Sequence, residues 1–334
     1  MSETIRTLSF AEAANRALHR SLSEDPRVLV YGEDVGKPGG VFGVTKGLHR
    51  EFGTRVFDTP ISEAAILGSA IGAAIVGMRP VVEIMWSDFS LVAFDQLVNQ
   101  AANVRYISGG EVSAPIVVRT QQGHAPGSCA QHSQCLEALF LHVPGLRVVM
   151  PRTPQDAHDA ILAALACPDP VIVIENRSLY GSKEEVVLGR PASAPGWFHR
   201  RREGSDVTVV SWGAITSAAL EAADAVAEDG ISVEVLETPW LNPFPIEDVV
   251  AAVTRTRRLV VVHEAVRTGG FGGEVVARVA ESEVELLARP IRVTAADSRI
   301  PAAPVLASAV LPDAAGIAAA LRESVAARVP TAVG

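Results

Sequence analysis

One glutamate, Glu63, directly precedes a long uncharged stretch that runs from Ala64 to Met78. If this stretch forms a helix, the Glu63 carboxylate stands in its first turn, where apolar neighbours partly remove it from water. Such surroundings suit a group that takes up and gives away protons. An ordinary glutamate also fits a first turn, because the helix dipole stabilises its charge. Glu63 alone therefore predicts either acid–base chemistry or a structural role.

Other candidate residues lie in three segments that directly follow apolar runs. These segments are Gly32 to Val35, Trp86 to Phe89, and the loop from Gln121 to Gln134, which contains His132. In open α/β sheets ligands bind beyond the carboxyl ends of the strands, so all three are candidate binding loops. His132 can transfer protons there, although a lone histidine is also common as a hydrogen-bonded structural residue.

Composition and charge argue against several classes of protein. Of the 334 residues, 48% are hydrophobic and 20% are charged, which is typical of a compact globular protein. The formal net charge of -9 does not favour a nucleic-acid partner. The three cysteines, Cys129, Cys135 and Cys167, form neither a C-x-x-C pair nor a disulfide framework. Free thiols and a cytoplasmic location are therefore expected.

Neither a signal peptide nor a membrane span is indicated. Glu3 and Arg6 interrupt the N-terminal segment, which has no apolar run of sufficient length. The stretch from Ala64 to Met78 is shorter than the roughly 20 residues that cross a bilayer. It predicts a buried helix capped by Ser62, and no membrane partner is expected.

Helical and strand patterns alternate along the chain, which predicts mostly parallel sheets with helices on both faces. In the first part, strands are predicted at residues 27–31, 81–85, 115–119, 146–150 and 171–175, and helices at 10–22, 63–77, 91–106, 134–142 and 153–166. In the second part, strands are predicted at 207–211, 232–236, 259–263 and 291–294, and helices at 215–227, 246–254 and 273–280. A capping box of Ser9 and Glu12 marks the start of the first helix.

The length of the chain suggests two domains, at roughly 150 residues each. Glycine and proline interrupt the alternation among charged residues between Tyr180 and Ser205. The sequence therefore predicts a first domain over residues 1–180, a linker over 181–205 and a second domain over 206–334. The expected fold class is α/β, with two three-layer α/β/α domains.

The glycine-rich segment from Thr268 to Glu274 lies between a predicted strand and a predicted helix. Its glycines do not have the G-x-G-x-x-G spacing, because Val275 stands where the third glycine is needed. No lysine and serine follow it to form a P-loop. The segment predicts a tight turn or a partner site. It lacks the fingerprint that a nicotinamide-dependent oxidoreductase would have, which argues against this alternative.

Several segments together resemble the beta subunit of the thiamine-diphosphate-dependent decarboxylating component of 2-oxoacid dehydrogenase complexes, which include pyruvate, branched-chain and acetoin dehydrogenases. The resemblance extends over about residues 5 to 330. It is carried by Gly32-Glu-Asp-Val35, Arg55-Val-Phe-Asp-Thr-Pro-Ile-Ser-Glu63, Arg79-Pro-Val-Val-Glu83, Phe94-Asp-Gln-Leu-Val-Asn99, Gln131-His-Ser-Gln134, Glu137-Ala-Leu-Phe140, Pro144-Gly-Leu146 and Asp169-Pro170. It implies a pyrimidine-binding first domain and a transketolase C-terminal-like second domain.

The resemblance implies roles for three side chains. Glu63 matches the glutamate that hydrogen-bonds a ring nitrogen of the cofactor's aminopyrimidine and helps the cofactor lose its thiazolium proton. Phe89 matches the aromatic residue that stacks on the pyrimidine, although it can also be a core residue. His132 matches a histidine at the substrate end that orients the lipoyl group or steadies charge during acyl transfer.

The resemblance also implies a potassium site that consists mainly of backbone carbonyls. The matching positions are Ile116, Ala164, Leu165, Cys167 and Asp169. Cys167-Pro168 departs from some relatives, which weakens this match.

The resemblance implies a partner as well. The family's magnesium ion, which binds the diphosphate, is held through a Gly-Asp-Gly segment, and this chain has none. The implied enzyme is therefore split, with an alpha subunit that holds the magnesium in an α2β2 heterotetramer. A lipoyl-bearing dihydrolipoyl acyltransferase is the implied acceptor of the acyl group.

The identity of the 2-oxoacid substrate is less defined. Phe89 and the segment from Glu175 to Tyr180 favour pyruvate, whereas Trp86 stands where the family often has phenylalanine. Acetoin or branched-chain 2-oxoacids stay as alternatives. A noncatalytic assembly subunit is a further alternative. The presence of Glu63, Phe89 and His132 at the family's spacing argues against it.

Overall fold

The computed structural model describes residues 3–125 and 127–327, which form two compact units. Among the described residues, the first unit contains 3–125, 131–195 and 241–243. The second unit contains 127–130, 196–240 and 244–327. In the part of the chain that is described, no helix is both long enough and apolar enough to cross a bilayer.

Strands and helices alternate as the hydrophobic pattern predicts. The strands are β1 (Thr4–Ser9), β2 (Val28–Gly32), β3 (Val56–Asp58), β4 (Arg79–Ile84), β5 (Val117–Gln122), β6 (Arg147–Val149), β7 (Val171–Asn176), β8 (Lys183–Leu188), β9 (His199–Arg202), β10 (Val207–Ser211), β11 (Val233–Glu237), β12 (Trp240–Asn242), β13 (Leu259–Val266) and β14 (Ile291–Ala295). The α-helices are α1 (Phe10–Glu24), α2 (Leu48–Phe52), α3 (Glu63–Ile75), α4 (Ala102–Ile107), α5 (Glu137–Leu141), α6 (Pro154–Ala166), α7 (Thr216–Ala227), α8 (Ile246–Thr256), α9 (Gly272–Ala280), α10 (Pro304–Ser308) and α11 (Ala314–Ala326).

The first unit is organised around a seven-stranded sheet with the order β12-β6-β7-β5-β4-β2-β3. The pairs from β6 to β3 are parallel, so their carboxyl ends lie at one edge of the sheet. Near this edge Asp58, Gly32, Glu83 and Arg119 stand in register across four neighbouring strands. A Cβ atom on Gly32 would lie 2.5 Å from the carbonyl oxygen of Glu83, so glycine is needed there.

The second unit contains a five-stranded sheet with the order β14-β13-β10-β11-β9. Its first four strands are parallel, and β9 pairs antiparallel with β11. Helices α7 and α11 bury alanine, valine and leucine side chains against it. Both units therefore confirm the predicted α/β fold class.

Helix α1 begins as predicted. The Ser9 side chain accepts the backbone N–H of Glu12 at 3.2 Å, and the Glu12 carboxylate accepts that of Ser9 at 2.8 Å. The capping box is therefore confirmed.

Helix α3 differs from the prediction in two respects. Ser62 makes no capping hydrogen bond, and its φ of -164° and ψ of 85° differ from the -72° and 162° of Ser9, which does cap a helix. The helix is buried on one face only, whereas Ala64, Ala65 and Ile75 on the other face are exposed. The prediction of a buried helix therefore holds for one face only, since apolar composition does not show which side meets the core.

The helix predicted over residues 91–106 is interrupted. A 3-10 helix covers Ser87–Ala93, a π-helix covers Gln96–Ala101, and only then does α4 begin. Within this stretch the Asn103 side chain donates to the carbonyl of Val98 at 3.4 Å and to that of Asn99 at 3.3 Å. Such local side-chain bonds compete with regular helical geometry.

The segment over residues 181–205, which the sequence predicts as a linker, contains two strands. Strand β8 pairs antiparallel with β1, from Ser9 and Lys183 to Thr4 and Leu188. Strand β9 belongs to the sheet of the second unit. Exposed residues such as Lys183, Glu184 and Glu185 resemble a loop in composition, although their backbone forms a ladder.

The glycine-rich segment after β13 forms a tight turn. Gly269 has a positive φ of 70°. Cβ atoms on Gly270 and Gly272 would each lie 2.6 Å from the His263 ring. The glycines allow the backbone to pack against this buried side chain, which stacks on Trp212 with ring centres 5.1 Å apart.

Candidate active site

Glu63 is the first residue of α3 and is 9% exposed, although the next two residues, Ala64 and Ala65, are exposed. The turn before it is fixed where Thr59 donates its backbone N–H to the Gly32 carbonyl at 2.9 Å. Glu63 therefore lies beyond the carboxyl ends of β2 and β3, as the sequence predicts.

A second carboxylate, Glu33, faces the same region. Burial raises the pKa of Glu33, and the negative charge of Glu63 raises it further. The two side chains thus interact through their charges. Glu33 is part of the Gly32 to Val35 segment, but its position beside Glu63 could not be read from the sequence.

Several buried polar atoms at this end of the sheet have no hydrogen-bond partner among the described residues. They are Glu33 Oε1, Thr59 Oγ1, Ser87 Oγ, Asp88 Oδ2 and Thr120 Oγ1. Buried polar groups usually find a partner, so such a cluster indicates a place where water or a ligand binds. The atoms belong to the loops and strand ends that the sequence singles out.

An aromatic wall brings Phe89 and His132 together. The ring of His132 meets Phe89 edge-on, with ring centres 5.5 Å apart, and meets Trp86 edge-on at 5.3 Å. Phe42 from the glycine-rich loop packs against Trp86 at 5.5 Å and stacks on Tyr180 at 4.7 Å. Two loops far apart in sequence thus form one surface around His132.

A buried ionic network supports this surface from below. Arg119 donates to Glu83 at 2.7 Å and to both oxygens of Glu175 at 2.8 Å. Tyr180 donates to Glu175 at 2.6 Å, and burial together with the negative charge of Glu175 raises its pKa well above the usual range. Gln121 donates to Glu83 at 3.0 Å and accepts the backbone N–H of Trp86 at 3.2 Å.

The carbonyls of the predicted potassium site already accept hydrogen bonds. Those of Ile116 and Ala164 accept backbone N–H groups at 3.0 and 3.2 Å. The Arg79 guanidinium donates to Leu165 at 3.4 Å and to Cys167 at 3.1 Å. A potassium ion would have to share the Leu165 and Cys167 oxygens with the Arg79 cation, which disfavours the ion at these two carbonyls.

The fifth predicted potassium ligand, Asp169, is bound by two arginines. Its carboxylate accepts from Arg105 at 2.7 Å and from Arg147 at 2.9 Å. These three residues line a cavity of about 840 Å³ in the first unit, which does not include Glu63, Phe89 or His132. The cavity and the predicted catalytic residues therefore lie in different places. The unpartnered polar atoms favour the sheet edge at Glu63 as the ligand-binding site.

Among the further residues at the site, Glu33, Trp86 and Gln121 lie in the candidate loops, although the sequence assigns them no role of their own, and Arg177 lies outside those loops. The available signal was their position in or just after the quoted motifs. The contacts that make them relevant join different strands, and a single sequence does not show those contacts.

Both units match known domain families. Residues 6–183 match the family model of the transketolase pyrimidine binding domain, and residues 196–317 match that of the transketolase C-terminal domain. The acetoin:2,6-dichlorophenolindophenol oxidoreductase subunit beta of Cupriavidus necator is 41% identical, and the match covers 96% of this chain and 98% of that protein.

The chain belongs to the beta-subunit family of 2-oxoacid dehydrogenases. Another relative is the mitochondrial pyruvate dehydrogenase E1 component subunit beta-2 of Oryza sativa, 39% identical over 99% of this chain and 90% of its own length. The 3-methyl-2-oxobutanoate dehydrogenase subunit beta of Mycobacterium tuberculosis is 41% identical over 87% of this chain and 84% of its own length. The family resemblance is thus confirmed.

A solved structure shares the fold of this beta subunit. The structure titled "Split gene transketolase, inactive beta4 tetramer" has a TM-score of 0.79, with 24% identity over 96% of this chain and 99% of that one.

Proposed function

We propose that this beta subunit forms, with an alpha subunit, an enzyme that uses thiamine diphosphate to decarboxylate a short 2-oxoacid and transfers the acyl group to lipoyl-lysine. The observation that carries the proposal is the buried position of Glu63 at the start of α3, beside Glu33 and unpartnered polar atoms at the sheet edge.

The chemistry of the site residues fits the pyrimidine end of the cofactor. Thr59, Ser87 and Asp88 have buried polar atoms that lack partners and can hydrogen-bond a polar heterocycle. When bound, thiamine diphosphate supplies an electron sink for the carbon that loses carbon dioxide.

Glu63 holds a proton at a ring nitrogen of the aminopyrimidine. Its burial strengthens this hydrogen bond, because few water molecules compete for the carboxylate. Phe89, in the candidate loop that follows β4, is partly exposed and would present a flat face to the pyrimidine ring.

His132 orients the lipoyl group during acyl transfer. Its ring makes edge-on contacts with the rings of Trp86 and Phe89, and these contacts define its orientation. A fixed imidazole can steady charge that develops during the transfer.

An alpha subunit completes the site. This chain has no Gly-Asp-Gly segment for the magnesium ion. Apolar side chains lie exposed around α3, with Ile61 80%, Val76 79% and Val92 64% exposed. Such a surface fits a protein partner, which supports an α2β2 assembly with the diphosphate side in the alpha subunit.

The substrate proposed first is pyruvate. Phe89 and the segment from Glu175 to Tyr180 favour it. Relatives with nearly equal identity carry pyruvate, acetoin and 3-methyl-2-oxobutanoate names, so acetoin and branched-chain substrates are the alternatives.

The proposal is tested by co-expression with candidate alpha subunits. The complex is assayed for decarboxylation of pyruvate and 3-methyl-2-oxobutanoate and for oxidation of acetoin, with thiamine diphosphate and magnesium. Activity that requires both chains supports the proposal, and the best substrate defines the subclass. A complex that forms but has no activity with any of these substrates contradicts it and favours an assembly role.

Potassium is tested in the same complex. If the ion binds at the proposed carbonyls, thermal unfolding shifts upward in potassium relative to sodium at equal ionic strength. Equal unfolding temperatures remove the ion from the proposal.

A further inference from the structure

Arg177 lies at the site but has no part in the roles proposed above. It follows β7 and begins a short 3-10 turn, Arg177–Leu179. The Asn176 side chain accepts the backbone N–H of Ser178 at 3.0 Å and fixes this turn. The base of the Arg177 side chain is therefore held by the first unit's sheet.

The Arg177 side chain contacts two residues of the aromatic wall. The carbon at the centre of its guanidinium lies 4.0 Å from the centre of the Trp86 ring. Its Nη1 donates to the backbone carbonyl of His132 at 3.1 Å. One side chain thus joins the loop that carries Trp86 to the loop that carries His132.

The Trp86 end of this connection is itself fixed. Trp86 has a positive φ of 69°, a conformation that bulky residues rarely adopt. Gln121 holds its backbone N–H at 3.2 Å and is bound to the buried Glu83. A strained residue keeps its conformation only when its neighbours determine it, and Gln121 and Arg177 are two such neighbours.

We infer that Arg177 is a positioning residue that fixes His132 for transfer of the acyl group to lipoyl-lysine. The inference rests on the proposed function, because it takes the role of His132 from there. Stacking on Trp86 holds the guanidinium in one plane, and the hydrogen bond to the His132 carbonyl holds the backbone of that loop. Lysine keeps the charge but cannot stack and donate in the same geometry.

The test compares two activities of the reconstituted complex. One is 2-oxoacid oxidation with the dye 2,6-dichlorophenolindophenol as electron acceptor, which bypasses lipoyl. The other is reductive acylation of a lipoyl domain. In Arg177→Met the ratio of acylation to dye reduction is expected to fall about tenfold, because a small displacement of an orienting group is costly. Arg177→Lys is expected to recover little of this loss.

Arg322→Met is the matched control, since Arg322 pairs with Asp229 and lies in the second unit. It should leave the ratio at the wild-type value. A ratio in Arg177→Met equal to that of the control overturns the inference, whether both rates fall together or neither changes.

A second readout needs no activity. Modification of His132 by diethylpyrocarbonate, followed by mass spectrometry on the full chain, is expected to change in rate at least about threefold in Arg177→Met and not in Arg322→Met. Equal modification rates in Arg177→Met and the wild type would overturn the inference that Arg177 positions His132. If the wild-type complex has no activity, the proposed function fails, and this labelling still decides whether Arg177 holds the loop.

Discussion

The guanidinium of Arg119 binds both carboxylate oxygens of Glu175, with a nitrogen–oxygen distance of 2.8 Å in each hydrogen bond. A third nitrogen of the same guanidinium binds Glu83 at 2.7 Å. All three side chains are at most 5% exposed. Neighbouring strands β4, β5 and β7 are thereby joined directly beneath the loops that carry Trp86 and Arg177.

Replacement of Arg119 should destabilise the chain strongly. Arg119→Met leaves two buried carboxylates without their counter-charge, which costs about 3–5 kcal/mol of unfolding free energy. Chemical denaturation followed by circular dichroism measures this. Arg322→Met breaks an exposed ion pair and should change the free energy by less than about 1 kcal/mol. Equal losses in the two variants would show that the buried network does not stabilise the fold.

Glu33 should make the stability depend on pH. Burial and the charge of Glu63 raise the pKa of Glu33 above 4.5 in the folded chain. Its contribution to stability is therefore fully present below the unfolded pKa and is lost as pH rises through the folded pKa. Glu33→Gln removes this penalty, so its unfolding temperature should rise relative to that of the wild type as pH increases above 4.5. A constant difference across that range would contradict the assigned interaction.

His263 should have the opposite dependence. Burial lowers the pKa of His263 from 6.5 to about 4. Its stabilising contribution is present above the unfolded pKa and is lost as pH falls from about 6.5 to about 4, by up to roughly 3 kcal/mol. His263→Phe cannot take up a proton, so the wild type should lose stability relative to this variant over that window.

The comparison of the two unfolding curves isolates His263. Burial also lowers the pKa of His158 to about 4, but this residue is the same in both proteins. If the difference between wild type and His263→Phe stays constant from pH 7 to pH 4.5, His263 is not a buried neutral histidine.

Much of the fold could be predicted because buried parallel strands have a simple sequence signal. Apolar runs such as those at the start of β7 and β13 fill both faces of a sheet, and helices alternate with them. Strands β1, β8 and β9 lack this signal, since they lie antiparallel and expose charged side chains. Their pairing depends on long-range contacts that local composition does not contain.

The site could be predicted as a set of loops, because parallel strands place their carboxyl ends at one edge. Phe89 and His132 come from different loops and their rings lie 5.5 Å apart, as expected for loops of one edge. The roles of Arg177 and Gln121 could not be predicted, since each depends on one hydrogen bond to another loop. Charged residues that directly follow apolar runs, as at Glu83, Arg119 and Glu175, were the available signal of the buried network.

The central claim is that Glu63 helps bound thiamine diphosphate lose its thiazolium proton. The most direct measurement is the rate at which this proton exchanges with deuterium in the complex of both subunits, compared between wild type and Glu63→Gln. Glu247→Gln is the matched control, because Glu247 is an exposed glutamate in the first turn of α8. The account predicts that exchange falls by at least about 10²-fold in Glu63→Gln and is unaffected in the control. Exchange in Glu63→Gln as fast as in the wild type, with the cofactor bound, would contradict it.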